Sequence, residues 1–228
     1  MKLVVHHAAA LLALALGACA TPSKELVSAG RATLDARALV SIDTLQYAPL
    51  PLGEMTKAEF DDKSPAVEVS GRRSYVRGFA LPKVEGQLAI NVSSFRFGPE
   101  NDPAIMYPDI RLLDETYRVV EVVPASRFVY RTTRRGDGLS ADIFIDVGTS
   151  SARYLLLMEH LLDEADQATA QTNVTSQMQM TLPVKGGFMM WFLPTGNSTL
   201  PVRLRSAPTG RVELTADRYQ LRKIPTTN

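Results

Sequence analysis

Few side chains in this 228-residue chain can do covalent chemistry, and the most conspicuous is its one cysteine. Cys19 closes the run Leu16-Gly17-Ala18-Cys19, after a leader with one charge, Lys2, and only Ala, Leu and Gly from Ala8 to Ala18. A positive start, a short apolar stretch and a small-residue end describe a secretory leader and not a membrane span. The four residues fit the bacterial lipobox, in which cleavage between Ala18 and Cys19 leaves a thiol and an amine to be acylated. Fatty chains anchor additively, at about 0.8 kcal/mol per buried methylene. The expected location is periplasmic, held to a membrane through Cys19. Ala20, standing where an Asp would retain the protein at the inner membrane, favours the outer one.

Other chemistry is scarce. Of three histidines, His6 and His7 leave with the leader, so His160 alone remains to serve as a base. "GTSSA" at residues 148–152 lacks the second glycine of a nucleophile elbow. With one histidine and an esterified thiol, no zinc set can be assembled, and no calcium-loop pattern occurs. Met178 and Met180 have the softness of copper ligands but read more simply as packing groups. Asp142 and Asp146 share a strand face, as solvated residues often do. The sequence therefore predicts no catalytic residue, no metal and no cofactor, and hence a protein that is not an enzyme.

Binding is the remaining option. Sugars are held by aromatic faces flanked by polar side chains. Trp191 in "GGFMMWFLPTGNS", with Tyr107 and Tyr130, are the candidate ligand-binding residues; each also suits a buried position. Tyr75, Tyr117 and Phe128 carry the same ambiguity. Arg131, Arg134 and Arg135 form a basic tip that suits solvent, a lipid headgroup or an acidic partner. Removing residues 1–18 takes only Lys2 from the 25 basic residues and none of the 24 acids, so nothing favours nucleic acid.

These side chains must be carried by strands. "SYVRGFALP", "GQLAINVSSF" and "ADIFIDVG" alternate, the last two placing Leu88, Ile90, Val92 and Ile143, Ile145, Val147 inward. "IRLLDETYRVVEVV" folds about Asp114-Glu115, and "PVRLRSAPTGRVEL" reads as a hairpin turning at "APTG". "RYLLLMEHL" and "GGFMMWFLP" are apolar on both faces, as central strands are. Residues 49–65 read as a loop. Residues 160–183, polar and rich in Gln and Thr, read as a helical turn around Leu161 to Ala168 and then an extended loop. Pro22 opens a helix whose stripe is Leu26, Leu34 and Val40. The predicted fold is all-β, an antiparallel sandwich of jelly-roll kind, with a short N-terminal helix and a short helix in the 160–180 linker. Its divisions are a leader (1–18), a lipid-anchored spacer helix (19–41) and one sandwich domain (42–228).

"VSGRRSYVRGFALPKVEGQLAINVSS", "YPDIRLLDETYRVV", "SADIFIDVG" and "ARYLLLMEHLLDEADQ" together resemble the maltose operon periplasmic protein family, MalM, over roughly residues 41–220. The resemblance implies an accessory role in maltodextrin uptake, as an oligosaccharide-binding module or in support of an outer-membrane porin. It carries over no catalytic set. Against the family's pattern, the chain has a lipobox and ends at Asn228, without a long Pro/Ala-rich tail. The alternative is a structural module of a porin or secretion complex, which would show open strand edges or an apolar patch.

Overall fold

The structure is a computed structural model that describes residues 22–99, 102–133, 135–146, 149–160, 169–184 and 187–219, with the two strands between 169 and 203 described as backbone paths. Among the described residues it is mainly β, with one α-helix, α1 (Ser23–Ala36), before the strands. The first sheet contains β1 (Tyr47–Pro49), β3 (Ala66–Val69), β4 (Arg72–Ala80), β7 (Pro108–Leu113), β8 (Val119–Val123) and β11 (Tyr154–Glu159). Its order is β1-β4-β11-β7-β8, with β3 also on β4. The second contains β2 (Met55–Phe60), β5 (Gln87–Phe95), β9 (Val129–Thr133), β10 (Gly136–Asp146) and β15 (Gly210–Tyr219), in the order β2-β15-β5-β10-β9.

Alternation decides which residues go inside. Leu88, Ile90 and Val92 of β5, Ile143 and Ile145 of β10, and Leu214 of β15 meet Tyr75, Phe79, Ile110, Leu112, Leu155 and Leu157 of the first sheet in one buried cluster. Asp142 and Asp146 face out, as the pattern required; Val147 lies outside the described residues. β11 is central, between β4 and β7, and buried on both faces from Leu155 to Glu159. The Asp114 turn also forms: its Oδ1 accepts from the Thr116 and Arg118 N–H groups at 2.8 and 3.0 Å. Those bonds, the Arg118 one first, hold its carboxyl below the usual range.

Several sequence expectations change. Residues 55–60 form β2, an edge strand with Ala58 and Phe60 turned inward, and not a loop. The polar run from residue 169 is also a strand, β12 (Thr169–Val184), whose β-branched Thr and Val residues suit a pleat. It pairs with β13 (Gly187–Arg203), so "GGFMMWFLP" belongs to a separate two-stranded ribbon and not to the centre of a large sheet. The helical turn expected at Leu161 to Ala168 lies outside the described residues. "APTG" does not close a hairpin: β14 (Arg205–Ser206) pairs with β6 (Ala104–Ile105), whereas β15 pairs with β2 and β5. Nor is all pairing antiparallel, because β1 runs parallel to β4 and β14 to β6.

Helix α1 starts after Pro22 as expected but has a narrower contact face. Leu34 is 1% exposed and joins the main cluster, while Leu26 is 40% exposed and Val40 lies past the helix end. Leu26 lies more than two turns before Leu34, nearer the start of the helix, where it stays exposed. Arg31 pairs with Glu159 at the end of β11, and the Ser206 hydroxyl donates to the same carboxylate oxygen at 3.1 Å.

Burial pushes the Glu159 carboxyl above its ordinary value of 4.5, with Arg31 and Ser206 opposing. A carboxyl raised by folding holds its proton more tightly when folded. Its contribution is full below 4.5 and is lost as the pH rises through the raised value. Glu159→Gln is therefore expected to flatten this part of the stability profile. Between neutrality and the ordinary carboxylate range, the wild type should gain melting temperature relative to the variant as pH falls. Parallel profiles in circular-dichroism melts would contradict this.

Candidate functional site

The structure brings two of the three predicted ligand-binding residues together, but facing inward. Tyr107 is 6% exposed and shares a buried cluster with Ile105, Leu139 and Leu204, against which Tyr130 packs. The Tyr130 hydroxyl is buried with no hydrogen-bond partner among the described residues, and burial, with Asp137, pushes its pKa up. Trp191 stands opposite Met180 on β13, and Met178 opposite Leu193. The side chain of Trp191 lies outside the described residues, as do Ala18 and Cys19. His160 follows β11, its backbone N–H donating to the Tyr107 carbonyl at 2.6 Å. Of the basic tip, Arg135 turns back to Glu213 at 3.7 Å, and Arg134 is outside the description.

A cavity of about 790 Å³ opens between the two sheets, where β1 and β4 face the edge strand β2. Tyr47 forms part of its wall, with Thr44, Gln46, Lys57, Glu59 and Arg77 offering hydrogen-bonding groups around it. Arg77 ties the sheets together behind the cavity. Its Nε and Nη2 donate to the Glu59 carbonyl at 3.0 and 2.8 Å, and Nη2 also reaches Ser64 Oγ at 3.1 Å.

Three elements build an aromatic cluster around Tyr47, which alone of the three rings lines the cavity. Tyr47 comes from β1, Tyr154 from β11 and Tyr117 from the β7–β8 turn, with centroids 4.6 to 5.3 Å apart. Tyr117 has φ 62°, a left-handed conformation unusual for a bulky residue, which places its ring nearly parallel to that of Tyr154 at 20°. The Tyr47 hydroxyl donates to the Ile42 carbonyl at 2.9 Å. Burial, then Tyr117, Tyr154 and Asp43, push its phenol up to about 12, so it stays a neutral donor at any ordinary pH. Gly78 makes room: a Cβ there would meet the Tyr47 ring at 2.7 and 2.8 Å.

Sequence reading missed Tyr47 and Tyr154, which are brought together only by strand pairing. One signal was present. A glycine inside a strand often marks a close approach by another group, and Gly78 interrupts the otherwise substantial side chains of β4. A second aromatic pair, Phe144 and Tyr219, stands on the outer face of the five-stranded sheet at 4.9 Å and 65°. Asn91 and Asp142, hydrogen-bonded at 2.8 Å, lie on that face too.

Fold and cleft thus define a mainly β protein with a cavity, bordered by Tyr47, between the edge strands β1 and β2 of its two sheets. Residues 71–182 match the family model described as Maltose operon periplasmic protein precursor (MalM). No curated protein and no solved structure matches the chain. The matched stretch includes Gly78, Tyr117 and Tyr154 of the aromatic cluster, while Tyr47 precedes it.

Proposed function

We propose that this protein is a non-enzymatic cell-envelope lipoprotein, a sandwich of jelly-roll kind moored through Cys19, whose edge cleft takes maltodextrin oligosaccharides during α-glucan uptake. The observation that carries the reading is the Tyr47 ring in the wall of a cavity with Gln46, Lys57, Glu59 and Arg77 around it. An aromatic face suits the C–H side of a pyranose, and the polar groups suit its hydroxyls. The lipobox supports an anchored, periplasm-facing domain, and the family's description supports the maltose context.

Isothermal titration with maltose through maltohexaose tests this. Binding is expected to grow with chain length, and Tyr47→Ala to weaken it about tenfold, equivalent to 1.4 kcal/mol. No heat from any of these sugars at millimolar concentration, or unchanged affinity in the variant, would remove the sugar from the proposal. Mass spectrometry of the membrane fraction tests the anchor separately.

The rival reading, a module that binds a porin or another envelope protein, is favoured by β8. This edge strand pairs only with β7 among the described residues and exposes Val119, Val120 and Val122 at 45, 41 and 50%. Val129, at the matching edge of the other sheet, is 52% exposed. Unpaired, β-branched edges invite strand addition. Loss of porin co-purification on Val120→Lys, with sugar titration silent, would decide for this reading.

A further inference from the structure

The ribbon of β12 and β13 joins neither large sheet and pairs with no third strand among the described residues. Its backbone register divides it in two at an irregularity between Ser176 and Gln177. On one side of that point Asn173 and Thr175 stand opposite Thr199 and Asn197, in a largely polar, uncharged stem. On the other, Met178, Met180 and Leu182 stand opposite Leu193, Trp191 and Met189. Residues two apart on a strand share a face, and directly opposed residues share it too. One face of the outer half is therefore wholly apolar, and it ends at Val184 opposite Gly187. The other face mixes Gln179 and Thr181 with Phe188, Met190 and Phe192.

Charge points the same way. Residues 169–202 contain a single ionisable side chain, Lys185, in a chain of which 21% is charged. A surface for a protein partner keeps a polar rim, which charged side chains occupy freely. Hydrocarbon penalises a charge on any strand face turned toward it. The geometry also limits depth. Met178–Val184 extends roughly 24 Å at about 3.4 Å per residue, short of the ~30 Å hydrocarbon core. Two strands alone also leave open edges, whose N–H and C=O groups need water. Such a ribbon can lie along a membrane surface on one face but cannot be immersed.

We propose that the outer half of this ribbon lies on a phospholipid bilayer, its Met178–Met180–Leu182 face and Trp191 against the upper acyl chains. The polar stem spans the headgroup region and leads back to the body. The assignment is independent of the sugar reading of the edge cleft and requires no acyl group on Cys19.

Trp191 is the sole tryptophan of the chain, so its fluorescence reports the ribbon alone. The test mixes the whole purified protein with excess vesicles of phosphatidylethanolamine and phosphatidylglycerol, with and without bromines on the acyl chains. Emission should shift to the blue in plain vesicles and be largely lost in brominated ones. Leu182→Glu, on the apolar face, should restore emission in brominated vesicles to near its lipid-free level. Thr181→Glu, one residue away on the other face, should stay quenched. Circular-dichroism melts check that each variant folds; if Leu182→Glu does not, the wild type and Thr181→Glu decide. A protein that floats with the vesicles while Trp191 is unquenched is held by its acyl chains alone, which overturns the assignment and spares the anchor. Failure to float overturns both. Emission already blue in water and indifferent to bromine would place the ribbon against protein, and equal quenching of the two variants would remove the apolar face; either result overturns the assignment.

Discussion

Gly138→Ala is expected to destabilise the protein by about 3 kcal/mol or more, the upper range for forcing atoms into a packed interior. Gly138 lies in β10 opposite Phe95 of β5 and Arg131 of β9. A Cβ built there would overlap the Ser94 carbonyl oxygen, with the Ser94 carbonyl carbon at 2.9 Å and Phe95 Cα at 3.0 Å. These are backbone atoms of a neighbouring strand, so no side-chain rotation relieves the clash. β5 itself has little room to move, because β15 holds its other edge and the buried Ser94 hydroxyl donates to the Met106 carbonyl at 2.6 Å. Gly86→Ala makes the contrast. Gly86 has φ 82° and open space around it, so only left-handed strain of about 1–2 kcal/mol applies. Urea unfolding of the two variants should separate them clearly. Equal losses would mean that β10 and β5 do not approach each other so closely at Gly138.

Leu34→Ala should cost about 2–5 kcal/mol, as other fully buried leucines do when truncated. Leu34 is the one α1 side chain in the main cluster, and its backbone carbonyl also accepts from the Arg37 N–H that ends the helix. A helix of 14 residues has little stability of its own in water. Docking through Leu34, together with the Arg31–Glu159 pair, is what keeps α1 folded on the body. Loss of the leucine should therefore release the helix before the sheets unfold, and protease should cut first near Lys24 or Arg31. Leu26→Ala, at a 40% exposed site on the same helix, should change stability by less than about 0.5 kcal/mol. If the two variants behave alike, α1 is not held by Leu34.

The contrast between Leu34 and Leu26 shows what a residue pattern conveys. Both are leucines in a helical stretch, and only the position of the sheet below decides which is buried. The tyrosine cluster is a stronger case. Tyr47, Tyr117 and Tyr154 come from an edge strand, a turn and a central strand, and no local pattern links them. Their meeting depends on β1 and β11 both lying beside β4. Tyr107 and Tyr130 sit on stretches just as apolar, yet they turn into a buried cluster.

By itself the sequence determined the mainly β character, the strands β4, β5, β7, β8, β10 and β11, the Asp114 turn, the start of α1 at Pro22 and the likeness to the MalM family over residues 71–182. Alternation with period two and the hydrogen-bonding habits of Asp and Pro are local properties, readable from a few neighbouring residues. Only the tertiary structure decided that residues 55–60 and 169–184 are strands, that "APTG" joins different sheets, and that Tyr47 meets Tyr117 and Tyr154 beside a cavity. Period two tells each residue which face it occupies but says nothing of which strand lies alongside. Partner choice is set by packing between residues as far apart as Tyr47 and Tyr154, and no short stretch of chain contains that information.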